Sequence, residues 1–263
     1  MMRAIVAALS VFLATSLHAQ PVTYSFSTGA ILPFGTVFSP TGAPVVPADF
    51  ANAGVLHGLL LGTSVSGSFQ YDSSAPRFQT NVDGSVIYAA NPNSSYLNLA
   101  GSVTGGATPG YTFSDPRGFT TVANETNTLP IPCPGCPVPP PGDGFHLIAD
   151  SQSPSGTNRN ISGFGVGDFR LYNVRMFWLE GQAVPEVVPD LVPNTDLPGA
   201  PPSVHGRLAL DFIIGNDVSK QYALFYDSLA VAAPIPEPET YAMLLAGLAL
   251  LGFQVRRKKK SPR

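Results

Sequence analysis

The sequence predicts an all-β fold, an antiparallel β-sandwich for which a jelly roll is one fitting arrangement. Three observations point there. Apolar residues recur at every second position in several short runs, and Gly, Pro, Asn and Asp cluster between those runs. No part of residues 20–233 carries a clear amphipathic-helix period. Alternate side chains of a strand point to opposite faces, so such runs fill one buried face and leave small polar residues on the other.

The strands follow in order. Val22, Tyr24 and Phe26 alternate with small polar residues, and Val65, Gly67, Phe69 and Tyr71 repeat the pattern. Leu97, Leu99 and Val103 do so around Gly101, while Tyr111 with Phe113 and Phe145 with Leu147 begin further strands. Leu208, Leu210, Phe212 and Ile214 give the cleanest alternation. The turn-like Gly215-Asn216-Asp217 then leads into Tyr222, Leu224 and Tyr226. Residues 164–180 are the one stretch where a helix competes. Their Phe169-Leu171 and Met176-Trp178 pairs fit two strands equally well. Residues 129–144 and 184–203 are Pro-rich and are expected to be surface loops of polyproline character.

Composition bounds the function. Of 263 residues only 12% are charged, against about a quarter in an ordinary soluble chain, and Gly and Pro number 26 and 27. The net charge of −3 is unevenly spread: residues 20–236 hold 7 Lys/Arg against 15 Asp/Glu, and residues 237–263 hold 6 against 2. Phosphate backbones are held chiefly by Lys and Arg, so an acidic body argues against a nucleic-acid partner.

The two ends read as targeting segments. Arg3 precedes an apolar run that closes on Leu17, His18 and Ala19, the layout of a signal peptide over residues 1–19 with cleavage after Ala19. A body over residues 20–233 follows. Residues 234–263 open on alternating prolines at 234, 236 and 238, continue through an uncharged apolar stretch at 241–255, and end in Arg256, Arg257, Lys258, Lys259 and Lys260. A helix over that stretch is about 23 Å long, and snorkelling cations help it across a hydrocarbon core of about 30 Å. A transmembrane helix is therefore expected there, with the basic cluster on the cytoplasmic side. Each Pro fixes φ and disfavours helix in its predecessor, so the segment before the helix is held extended, as a peptide-cutting enzyme requires.

Pro236-Glu237-Pro238, the short apolar segment and the basic terminus together resemble the PEP-CTERM sorting signal of Gram-negative bacteria, a tail also classified as an ice-binding protein C-terminal domain. The second label describes the tail and carries no implication for the body. The resemblance covers about 30 residues and implies recognition by an exosortase, a membrane transpeptidase. Cleavage near the motif and transfer to the outer surface or extracellular matrix would follow, in bacteria that make extracellular polysaccharide. The segment 67–72 is similar to a stretch found in the bodies of many such proteins.

The remaining candidates for chemistry are weak as motifs. Cys133 and Cys136, the only cysteines, are expected to form a small structural disulfide in an oxidising compartment; a closed zinc site needs four ligands, and His146 adds only one. His57, His146 and His205 are too scattered to form a catalytic constellation. Asp72, Asp83, Asp115, Asp143, Asp150, Asp168, Asp217 and Asp227 lie near strand ends without a calcium-loop spacing. Gly163-Phe164-Gly165-Val166-Gly167 suits a bulge or close strand packing better than a nucleotide loop. The aromatics Tyr71, Tyr96, Tyr111, Tyr172, Trp178, Tyr222 and Tyr226 suit a sheet core, with stacking on sugars as the alternative. The expectation is a noncatalytic structural or adhesion protein without a cofactor. A carbohydrate- or Ca²⁺-binding module is the alternative, and an exported hydrolase the second.

Overall fold

The computed structural model describes residues 21–39, 42–80, 85–88, 97–115, 118–126, 142–150, 164–179, 196–203, 206–232, 234 and 246–248. The chain divides into two units, Met1–Ala233 and Pro234–Arg263. The described elements of the first run β1 (Val22–Ser27), β2 (Ile31–Phe38), α1 (Pro47–Leu59), β3 (Thr63–Tyr71), β4 (Arg77–Thr80), β5 (Val86–Tyr88) and β6 (Leu99–Gly105). They continue with β7 (Tyr111–Asp115), β8 (Phe119–Thr126), β9 (Gly142–Asp150), β10 (Gly165–Val166), β11 (Phe169–Leu179), β12 (Gly206–Ile214) and β13 (Asp217–Val231). In the second unit, residues 246–248 are helical.

The all-β, antiparallel expectation holds. The strands form one continuous sheet in the order β4-β5-β8-β9-β11-β12-β13-β1-β3-β6-β7, with β2 added on β13 and β10 on β11. This sheet curls into a sandwich-like half-barrel, and a single core cluster unites its two wings. Val65, Phe69, Leu99 and Val103 from one wing are buried in the same cluster as Leu147, Met176, Leu210 and Leu224 from the other.

The joint between the wings is β13. Its earlier part pairs with β2, from Gln221↔Phe38 to Tyr226↔Ile31. On the same edge, its last residues pair with β1, Ala230↔Ser27 and Val231↔Phe26. β12 follows the opposite edge from Ile214↔Asp217 to Gly206↔Leu229. Between the two partners the chain turns a corner at residues 28–30, where the Gly29 amide donates to the Asp227 carbonyl at 2.9 Å and the Thr28 amide to that of Val65 at 2.8 Å. Opposite this corner Ser228 takes φ +53°, the left-handed region that a side chain disfavours. A Cβ built on Gly29 would stand 3.3 Å from the Ser228 Cβ, so the smallest residue sits where the two chains press together.

The strands read from alternation are all present, with refinements. Residues 169–179 form one strand, not two: β11 bends at a bulge between Leu171 and Asn173 and pairs with β12 and β9 on either side. Of the glycine-rich run, Gly165 and Val166 form β10 and Gly167, at φ +58°, opens the turn back into β11. Gly142–Gly144, placed in a Pro-rich loop by composition, already belong to β9.

The expectation of no helix in the body is corrected by α1. Its residues are apolar on nearly every side, so no 3.6-residue contrast marks it. Ala53 and Leu56 are buried against the sheet, and Gly35 of β2 permits the approach, because a Cβ there would meet the Ala53 carbonyl and Leu224 at 3.0 Å. Among the described residues no helix is long and apolar enough to cross a membrane. Apart from the helical turn at 246–248, the stretch 241–255 expected to span lies outside them.

The corner can be tested by substitution at Ser228. Valine, whose branched Cβ resists the left-handed region, should destabilise the body by about 1–2 kcal/mol, and glycine should not destabilise it. Thermal melts of Ser228→Val and Ser228→Gly check this; equal losses in both would show that backbone strain is not what the site carries.

Candidate functional site

Two groups of buried or half-buried ionisable side chains stand out in the described body, one at each face of the curled sheet, while the Arg77–Asp196 pair at 2.7 Å is exposed. The first ties α1 to β13. Pro47 suits the first helical position, where a missing amide hydrogen costs nothing and φ is preset. Asp49 accepts the Val46 backbone N–H on Oδ2 at 2.9 Å, the half of a capping box that needs no polar side chain at the cap. The same oxygen accepts from Lys220 Nζ at 2.7 Å, and the Tyr222 hydroxyl approaches Oδ1 at 3.4 Å. The Lys220 bond first, then the Val46 amide, hold the Asp49 carboxyl below its ordinary range despite burial. The reciprocal bond holds the Lys220 ammonium above its own.

The far end of the helix is fixed by hydroxyls. Thr63 Oγ1 donates to the Leu60 carbonyl at 2.7 Å and lies 2.9 Å from the Tyr226 hydroxyl. The single threonine proton is committed to Leu60, so Tyr226 is the donor in the second bond. Burial pushes the Tyr226 phenol up to about 12, which keeps that proton in place. His57 Nε2–H donates to the Leu32 carbonyl at 3.0 Å. Residues 220, 222 and 226 of one strand thus hold both ends of α1.

The second place lies on the face of the sheet away from the main core, around a small cluster of Ala209, Ala223 and Phe225 with Leu32, Phe38 and Phe177 beside them. Arg175 donates to Asp211 through Nε at 2.6 Å and through a terminal nitrogen at 2.7 Å, a two-bond fork on a carboxylate sealed from solvent. The guanidinium also stacks over Phe38, 5.2 Å from the ring centroid. His146 packs against Phe177, and its Nε2 is buried without a hydrogen-bond partner. Burial first, and the Arg175 charge second, lower its pKa to about 4. The imidazole is therefore neutral in the fold at neutral pH. Both ion pairs are bonds within the fold, and each carboxylate already faces a cation.

The residues singled out by sequence are dispersed. His57 lies on α1 and His146 on β9. Asp72 accepts from the Ser74 amide at 2.8 Å in the turn after β3, and Asp217 from the Ser219 amide at 2.9 Å at the start of β13. Asp227 stands 3.9 Å from Arg207, and Asp115 is buried with partners inside the fold. Asp168 lies in the β10–β11 turn, and the backbones of Asp143 and Asp150 lie in β9. Of the aromatics, Tyr71, Tyr172, Trp178, Tyr222 and Tyr226 are buried, and Tyr111 packs 4.6 Å from Phe164. Among the described residues no three His, Cys, Asp or Glu side chains gather to hold a metal ion. Ala19, Asp83, Tyr96, Cys133, Cys136, His205, Pro236, Glu237, Pro238, Arg256, Arg257, Lys258, Lys259 and Lys260 lie outside the described residues.

Asp49 and the Arg175–Asp211 pair were not singled out. The Pro-x-Asp start of α1 is a helix-opening signal that could have marked Asp49. The partners lie 171 and 36 residues away in sequence, and no local pattern announces them.

Residues 234–258 match the PEP-CTERM protein-sorting motif. No curated protein and no solved structure matches the chain.

Two measurements follow from the second cluster. Arg175→Met strands a buried carboxylate and should cost about 3–5 kcal/mol, most of it recovered when Asp211→Leu is added. Urea denaturation of Arg175→Met, Asp211→Leu and the double variant checks this, and independent, additive losses would contradict it. His146 titrates at 6.5 when unfolded and about 4 when folded, so the unfolded chain takes up the extra proton between those values. Stability should therefore decline as pH falls from about 6.5 towards 4, and His146→Phe should flatten that slope. Identical slopes in the two proteins would contradict the burial of a neutral imidazole.

Proposed function

We propose that this chain is a noncatalytic structural or adhesion protein that works at the bacterial cell surface or in its polysaccharide matrix. The motif at residues 234–258 is that of an exported bacterial protein, processed by an exosortase through a membrane-anchored intermediate. That match is the observation that supports export and sorting. In this reading residues 1–19 are a signal peptide removed after Ala19, and residues 241–255 hold the intermediate in the membrane with Arg256–Lys260 on the cytoplasmic side. The exosortase acts at Pro236-Glu237-Pro238 in a Gram-negative host. Cys133 and Cys136 close a disulfide once the body is exported.

The body's described contacts favour a mechanical role over a chemical one. Its two buried ion pairs are spent on holding α1 to β13 and β11 to β12. Its last strand is hydrogen-bonded along both edges, and only residues 232 and 233 separate that strand from the sorting motif. A surface protein attached or pulled through its C-terminus would transmit force into a strand paired along both of its edges. A carbohydrate- or calcium-binding role would instead appear as hits on a glycan array or a calcium-dependent rise in melting temperature.

Deleting residues 234–263 in a host that possesses an exosortase should abolish membrane retention and the processed surface form. The full chain should yield a mature mass lacking the basic terminus. Mass spectrometry with cell fractionation reads both, and unchanged localisation together with an intact Arg263 would overturn the proposal.

A further inference from the structure

The outward face of α1 is anomalous. Val46, Phe50, Val55, Leu59 and Leu61 make up five of the eight large hydrophobic residues exposed among the described residues, with Phe50 at 52%, Val55 at 57% and Leu61 at 59%. A helix that is apolar on one side buries that side; one that is apolar all round belongs in a core or against lipid. Here Ala53, Leu56 and Leu60 fill the core side, and the other side carries no charge to keep it in water. From residue 21 to 71 the sole Asp, Glu, Lys or Arg is Asp49, which is buried and bound to Lys220. Among the described residues nothing stands within 4 Å of a Cβ built on Gly54 or Gly58, at the middle of this face.

We propose that this face of α1 rests on the lipid surface while the protein is anchored, with its apolar side chains in the interfacial layer of the bilayer. The proposal rests on the reading of the tail as a membrane anchor. Residues 232–240 are all that separate the end of β13 from the apolar stretch at 241–255, and nine residues reach at most about 30 Å. The anchored body is thus held within about one domain diameter of the bilayer, where tethering replaces intrinsic affinity. Charge does not oppose the contact: the 46–61 segment has one ionisable carboxylate, Asp49, and that is buried on Lys220. A second copy is the poorer occupant. A helix face about 20 Å long and 10 Å wide covers about 200 Å², against the roughly 800 Å² per partner of a stable protein interface. Lipid requires no such complementary area, and insertion scales with the apolar surface supplied.

The test uses the full chain reconstituted through its tail into phosphatidylcholine–phosphatidylglycerol vesicles, with or without bromine on the acyl chains. Val55→Trp should lose emission in brominated vesicles, while Thr80→Trp on the exposed strand β4 should not. The native Trp178 is buried and supplies a constant background. Adding Phe50→Ser and Leu59→Ser to Val55→Trp should restore the emission. Co-flotation with the vesicles reads the tail separately. A chain that floats while Val55→Trp is unquenched overturns the helix contact and leaves the anchor standing. A chain that does not float, and is not quenched, defeats both. An emission shift at position 55 that grows with protein-to-lipid ratio and ignores bromine marks a second copy and also overturns the proposal.

Discussion

Strand β13 hydrogen-bonds to β12 along one edge and to β2, then β1, along the other, and the two wings of the sheet meet through it. A curled sheet of this size needs a place where pairing passes from one wing to the other without leaving backbone groups unpaired. Here that place is the corner of residues 28–30 against Asp227 and Ser228. The Asp227 carbonyl and amide are taken up by Gly29 and Ala30, and Ser228 absorbs the change of direction in its positive φ. The side chains on either side of the corner then share one core. Phe26 and Phe69 of the first wing, and Leu224 and Tyr226 of the second, belong to the same buried cluster.

The same strand organises the rest of the body. Lys220 and Tyr222 hold the start of α1 through Asp49, and Tyr226 holds its end through Thr63. The helix is therefore fastened to the strand that leads into the sorting segment. This arrangement sets the exposed apolar face of α1 on an element continuous with the tether. The end of β13 at Val231 and the start of the sorting motif at residue 234 are two residues apart in the chain.

Much of this was readable in the residues, for identifiable reasons. Strands with one face in the core, such as Val65 to Tyr71, show alternation because burial differs between neighbours. The tail was readable because its features are local: three spaced prolines, an uncharged stretch and a run of cations. Helix α1 was missed because both of its sides are apolar, and a period is visible only as contrast. The strand Arg77–Thr80 left no signal for the opposite reason, since all four of its residues are exposed. The ion pairs depend on tertiary contact. Neither the Asp49–Lys220 separation nor the Arg175–Asp211 fork is encoded in spacing along the chain.

If β13 truly unites the wings, the body should open as one cooperative unit. Native-state hydrogen exchange across a denaturant series measures this at single amides. The amides of Val65 in β3 and of Leu210 in β12 should share one opening free energy and one denaturant dependence, set by global unfolding. Exchange of Val65 through a lower-energy opening that leaves Leu210 protected would mean that the wings are separate modules and that the corner at Ser228 does not join them.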